Sequence, residues 1–343
     1  LPSSRSLTSP QSPAARRTLS PTAITRELIR RALPLALGAV VALLGAGCQP
    51  RGSEAAGNRA ASPVVAPASA PAPQPAQPVF LWRAQLGPST VHFLGSVHVA
   101  RANIYPLDPR IEDAFAASDT LVLELELDAA TQQQAAERML ELGQLPAGKR
   151  LQDVVQPGTW QLLQEAERRH GLNLFGLRGF RPWVVALALT TQALQKAGFS
   201  ADQGIDEHFR RAAGERLPIE ALETVDEQLS LFTDLSPEAG ENLLRQTIEE
   251  IDQYGEQLDA SFRLWQSGDA AQLDVLLLAP MRAEYPALFA KLFSERNRRM
   301  LERLQRLVAK SGRYFVVVGA GHLVGAGGIV DLLRGQSIVA EQL

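Results

Sequence analysis

Hydrophobic and polar positions from residue 79 onward repeat at two distinct periods. Val79–Gln85 and Thr90–Leu94 are short β-prone runs separated by Leu-Gly-Pro-Ser, which predicts a hairpin. Asp108–Ala117 predicts a helix, with Asp108 as its cap and Pro109 at the first helical position. Thr120–Leu127 alternates strictly. Leu121, Leu123, Leu125 and Leu127 share one side, and Val122, Glu124 and Glu126 the other, which predicts a strand whose carboxylates lie about 7 Å apart on one face. Apolar residues then recur at three- and four-residue spacing, predicting helices over Ala130–Leu142, Pro157–His170, Pro182–Ala197, Gly204–Ala213, Ser236–Ser267 and Pro286–Lys310. Leu217–Leu222 is a β-prone interruption in this helical middle. Arg313–Val318 is a continuous apolar run that suits a fully buried strand. Gly327–Leu333 reads as one more helix and Ser337–Ala340 as a last strand.

Charge and composition change the picture at the front of the chain. Residues 1–78 hold 12 of the 22 prolines and eight arginines, with only Glu27 and Glu54 as acids, whereas the remainder carries 26 basic against 35 acidic residues. Arg26, Arg30 and Arg31 precede an apolar run from Ala32 to Ala46, and no charge follows until Arg51. This is the pattern of an export signal, and the run is too short for a spanning helix of about 20 residues. Cys48, the single cysteine, stands where a bacterial lipoprotein signal places its lipidated cysteine. Leu44 lies four positions before it instead of the usual three, which leaves cleavage without a lipid and an uncleaved anchor as alternatives. Residues 49–78, rich in Ala, Pro, Ser and Gln, read as a solvated tether. The expected organisation is an export signal over 1–48, a tether over 49–78 and a domain over 79–343, in the periplasm or cell envelope and anchored to a membrane through lipid.

Over the whole chain, 343 residues with net charge −3 and 45% hydrophobic content exclude a collagen, a wholly disordered chain and a multi-span membrane protein. One cysteine excludes a disulfide framework and a cysteine-rich zinc module. A pI of about 6.0 argues against a nucleic-acid partner.

The candidate chemistry lies in a motif that occurs twice. A β run ends in Gly-x-x-His at Gly95–His98 and again at Gly319–His322. A glycine at a strand exit permits a sharp turn, and the histidine then projects from the carboxyl end of the sheet, where open α/β sheets bind ligands. Two imidazoles with the Glu124 carboxylate can hold a first-row divalent metal and leave positions for water. The competing reading has each histidine capping a turn or satisfied in the interior, and Glu124 and Glu126 on the solvent face of an edge strand. His92, inside a strand, reads as structural, and His170 and His208 as solvated. Gly319–Gly325 has the wrong spacing for a dinucleotide loop and too little chain after it; Gly143–Lys149 lacks the Ser or Thr of a P-loop.

Several segments occur together in order: Phe80-Leu81-Trp82-Arg83, Phe93–His98, Tyr105-Pro106-Leu107, Ser118–Glu124, Arg181-Pro182-Trp183, Gly204-Ile205-Asp206, Leu222-Glu223-Thr224 with Gln228, Glu295-Arg296-Asn297, and Gly319–Gly325. In this combination the chain resembles the TraB/GumN family (TraB/PrgY/GumN, with the animal TIKI proteins as relatives) over about residues 79–343. The resemblance implies an α/β fold akin to the erythromycin-esterase and ChaN-like proteins, with a central mixed β-sheet flanked by helices and a large helical insertion. It also implies a metal-dependent peptidase activity of the TIKI kind, using manganese or cobalt, with zinc or iron as further candidates. By position the metal residues are His98, His322 and Glu124. Glu124 is either a ligand or the general base, and Arg296 and Asn297 are catalytic neighbours. Glu126 stands where many members have Asp. On this basis the chain is expected to be an exported, lipid-anchored metal-dependent hydrolase with a peptide or protein substrate. The alternatives are a binding or regulatory protein that sequesters a peptide, haem or metal, and an accessory factor for envelope or exopolysaccharide work. Arg296 is expected to stabilise an oxyanion or clamp a substrate carboxylate, the competing reading being a helix-surface ion pair, with Asn297 about 100° away around the same helix.

Overall fold

The computed structural model describes residues 77–343 apart from Leu127 and Asn173; the export signal, Cys48 and the tether lie outside the described residues. Six strands form one sheet: β1 (Leu81–Leu86), β2 (Ser89–Ser96), β3 (Thr120–Leu123), β4 (Ile219–Ala221), β5 (Arg313–Gly319) and β6 (Ala340–Gln342). Their spatial order is β4-β3-β5-β2-β1-β6. The first four run parallel, and β1 pairs antiparallel with both β2 and β6. The sheet is therefore mixed, flanked by helices and of the α/β class.

Local chemistry explains the elements that the pattern predicted closely. Gly87 adopts φ +56° in the tight turn between β1 and β2. Helix α1 (Pro109–Ala116) starts where the Asp108 side chain accepts from the Arg110 N–H and Pro109 enters without losing a helical hydrogen bond. Between β3 and β4 come α2 (Ala129–Gly143), α3 (Pro157–His170), α4 (Pro182–Lys196) and α5 (Ile205–Ala213). Between β4 and β5 come α6 (Val225–Thr233), α7 (Pro237–Glu250), α8 (Tyr254–Gln266) and α9 (Glu295–Leu307), and α10 (Ile329–Gly335) precedes β6. Helix α4, apolar on nearly every side, packs on α7 and α8. Among the described residues, no helix is long and apolar enough to cross a membrane.

Four expectations require correction. Strand β3 ends at Leu123, not at residue 127, and its leucines do not alternate with solvent: Leu121, Val122 and Leu123 are all buried. A strand covered on both faces has no polar side, so the alternating carboxylates mark the chain leaving the sheet. Glu124 is buried, Glu126 is exposed, and they share no face. The span 236–267 is two helices, because the chain turns at residues 251–253. The span 286–310 is a short helix (Pro286–Phe289), a π turn (Ala290–Ser294) and then α9. The last strand lies at Ala340–Gln342, three residues later than expected, because Ser337 takes φ +60° and delays the return to the sheet.

The core under the parallel strands includes Phe115, Phe209 and Phe315, whose ring centroids lie 4.8–5.4 Å apart. Phe315 is fully buried on β5, so Phe315→Ala is expected to lower unfolding stability by roughly 3–5 kcal/mol in urea titration.

Candidate functional site

Parallel pairing places the two motifs side by side. Ser96 of β2 stands opposite Gly319 of β5, so both Gly-x-x-His turns leave the sheet at the same edge. Strand β3 pairs on the other side of β5 with Leu123 opposite Val317, and β4 follows with Ala221 opposite Leu123. The residues just past these four ends are His98, Glu124, Glu223 and His322.

The glycines work through space and not through unusual dihedrals. Gly319 has φ −50° and ψ 135°, open to any residue, but a Cβ there would point into the site. It would lie 3.1 Å from Glu124 Oε1, 3.1 Å from His98 Nε2 and 3.5 Å from His322 Cδ2. The three predicted metal residues thus ring one small volume. A Cβ on Gly95 would collide with the Phe80 ring at 2.4 Å, so that glycine lets the hairpin close over the strand end.

Each imidazole is held from behind. His98 Nδ1 lies 3.0 Å from Asp206 Oδ2, and the other oxygen of Asp206 accepts from Ser96 Oγ at 3.0 Å. His322 Nδ1 lies 2.6 Å from Asn297 Oδ1, while Asn297 Nδ2 donates to the Gly327 carbonyl. Both acceptors are oxygens, so Nδ1 carries the proton on both rings. Nε2 of each ring is left for the site, and His322 Nε2 stands 3.7 Å from Glu124 Oε1.

Glu124 accepts the Gly319 N–H at 2.5 Å with Oε1 and Arg296 Nη2 at 3.1 Å with Oε2. Arg296 also donates from Nε and Nη2 to Glu223, at 2.8 and 2.6 Å, and from Nη1 to the Leu292 carbonyl. Gln228 Nε2 reaches Glu223 Oε2 at 3.3 Å. All of these side chains are almost wholly enclosed, with His98 the most open at 11% exposed.

Burial raises the Glu124 carboxyl, but the charges of Arg296 and His98 and the Gly319 N–H outweigh it and hold it well below the usual carboxylate range. Burial lowers His98, yet Asp206, by charge and hydrogen bond, and Glu124 push it up to about 9. His322 has only a neutral amide behind it; burial drives it down to about 3, and Glu124 does not compensate. Glu124 is thus held ionised, the form that a ligand or a general base requires.

Arg296 and Asn297 both reach the site although they are a third of a turn apart. Both sit in the first turn of α9, which follows the π turn over Ala290–Ser294; Arg296 meets Glu124 and Glu223, and Asn297 meets His322. Arg296 spends four of its five N–H groups on Glu223, Glu124 and Leu292, so it organises carboxylates. His170 and His208 are half-buried, not solvated: His170 lies 3.5 Å from Asp252, and His208 stacks on Tyr105 and meets Glu112 at 3.2 Å. The pattern reading overlooked Asp206 and Glu223 as site residues. Glu223 carries the same signal as Glu124, an acid directly after a β-prone run. Asp206 is an acid in the first turn of a helix, which has no such distinguishing mark.

Two imidazole nitrogens and a carboxylate oxygen suit a first-row divalent ion, whose tetrahedral ligands stand about 3.4 Å apart. Among the described residues, no group of three or more His, Cys, Asp and Glu side chains is arranged to hold a metal ion. A surface cavity of about 900 Å3 is lined partly by Leu323, Val324 and Gly325 but by none of the site side chains.

The sequence profile of the TraB/PrgY/gumN family matches residues 80–342. The chain belongs to this family. It is similar to the uncharacterized protein YbaP of Escherichia coli (strain K12), at 26% identity over 246 residues covering 71% of this chain and 87% of YbaP. The YbaP of Shigella flexneri matches to the same extent. No solved structure matches the chain.

Removing Arg296 leaves two buried carboxylates facing each other. Arg296→Met is expected to lower stability by roughly 3–5 kcal/mol, measured by denaturant unfolding at neutral pH.

Proposed function

We propose that this chain is a metal-dependent hydrolase, peptidase-like, exported and held at a membrane by lipid on Cys48. What carries the hydrolase reading is the convergence of His98 Nε2, His322 and Glu124 Oε1 around Gly319, with both outer ring nitrogens anchored on oxygen. Charge supports it as well. Arg296 pairs with Glu124 and Glu223, and Asp206 with His98, so neutral imidazoles would leave an excess of negative charge that a divalent ion offsets. The peptide substrate rests on the resemblance to the TIKI proteins, and the export and lipid on the pattern of residues 26–48.

His98, His322 and Glu124 would hold the ion, which when bound supplies Lewis acidity and a water whose pKa falls toward neutrality. Asp206 and Asn297 keep the two rings in the tautomer that presents Nε2. Arg296, clamped by Glu223, holds Glu124 ionised and in place. Enclosure excludes bulk water and strengthens every charge interaction in the cluster.

A second reading has a specific basis: Glu124 is already paired with Arg296 and Gly319, and the described donors are not in ligating geometry. On that reading hydrolysis proceeds without metal, with His98 backed by Asp206 as the general base once deprotonated, so turnover rises toward pH 9.

Metal analysis of the purified chain decides between them. About one tightly held divalent ion is expected, lost in His98→Ala and His322→Ala, with peptide turnover abolished by a chelator. Chelator-resistant turnover would favour the second reading, and a held metal without turnover the binding alternative. Gly319→Ala is expected to fold normally, because its dihedrals suit alanine, yet to lose the metal, because the methyl fills the cradle. Affinity should also depend on pH. With His98 titrating at about 9, an ion must displace its proton below that pH, so apparent affinity rises toward pH 9 and falls up to about tenfold per unit below it. Isothermal titration at pH 6, 7 and 8 measures the slope.

A further inference from the structure

We propose that Asp206 is the positioning residue of the site, fixing the His98 ring through Nδ1–H so that Nε2 faces Gly319 and Glu124, with Ser96 in turn fixing Asp206. This rests on the hydrolase-site reading above, but its geometry stands independently. Asp206 lies in the first turn of α5, and the α5 N-terminus has no side-chain cap, so its carboxylate is not used on its own helix. It reaches across to the exit of β2 instead and takes Ser96 on one oxygen and His98 on the other, both at 3.0 Å. Ser96 and His98 are two residues apart, so a single carboxylate spans the turn that carries the histidine.

The backbone around it is locked to match. Ile205 N–H donates to the Val97 carbonyl at 3.1 Å, and Ala100 and Ser200 exchange both hydrogen bonds at 2.9–3.0 Å. Gly204 lies so close to the His98 carbonyl that a Cβ would stand 2.3 Å from its oxygen. The segment Ser200–Asp206 is thus a bracket for residues 96–100. With the main chain on either side of His98 bracketed and Nδ1 held by a carboxylate, the ring keeps Nε2 turned to the site. His322 receives the same service from Asn297, an amide, so the two rings differ in the charge standing behind them.

The test has two arms on the full chain. In the metal-free protein with 15N-labelled histidine, wild type is expected to show an exchange-protected, low-field proton on His98 Nδ1. That signal should vanish in Asp206→Ala and shift in Ser96→Ala. A protected Nδ1–H that persists in Asp206→Ala, or is missing from wild type, overturns the proposal. In the second arm Co2+ is titrated into wild type and Asp206→Asn, an isosteric change that serves also if Asp206→Ala fails to fold. Asp206→Asn is expected to fold and to bind about 10–100-fold more weakly. Equal Co2+ affinity in the two proteins overturns positioning. A wild type that binds no Co2+ but keeps the protected Nδ1–H overturns the metal reading and supports the role of Asp206.

Discussion

The guanidinium of Arg296, enclosed between Glu124 and Glu223, ties the helical layer to the carboxyl edge of the sheet. Its partners leave β3 and β4, and it enters from α9, so three elements distant in sequence are fixed by one set of charge-assisted hydrogen bonds. Burying three charges is costly, and the cost is offset only because nearly every donor and lone pair is used. Arg296 donates four times, Glu223 also takes Gln228, and Glu124 takes the Gly319 N–H. Once Arg296 is placed, Glu124 has one orientation, and its Oε1 faces the imidazoles.

Around that anchor the cluster keeps an excess of negative charge in an enclosed volume. The two histidines answer it differently because of what stands behind them. Asp206 favours a charged His98, whereas Asn297 offers His322 an acceptor but no countercharge. A site so arranged favours positive charge, and a proton on His98 supplies it.

Much of the molecule was legible because short-range physics decides it. The Asp108-Pro109 helix start, the Gly87 turn and the apolar run of β5 are set by residues within a few positions of one another. The two Gly-x-x-His motifs and Glu124 were legible as chemistry for the same reason, since each directly follows a β-prone run. The errors have more than one physical origin. Alternation in Thr120–Leu127 suggested a half-exposed strand, but β3 is covered on both faces, and only its neighbours reveal that. The span 286–310 looked like one helix because a π turn changes the phase of a helix without interrupting its apolar pattern.

By itself the sequence determined the family, the strand-and-helix inventory and the identity of the donor atoms, all of which follow from local composition and order. The tertiary structure alone decided that His98 and His322 face one point, that Glu124 is claimed by Arg296 and Gly319, and that Asp206 and Glu223 belong to the site. Those facts depend on the parallel pairing of β2, β5, β3 and β4, which brings together strand ends separated by up to about 220 residues of chain. No local pattern encodes that contact, because its energy comes from burying faces and charges that meet only after the sheet has formed.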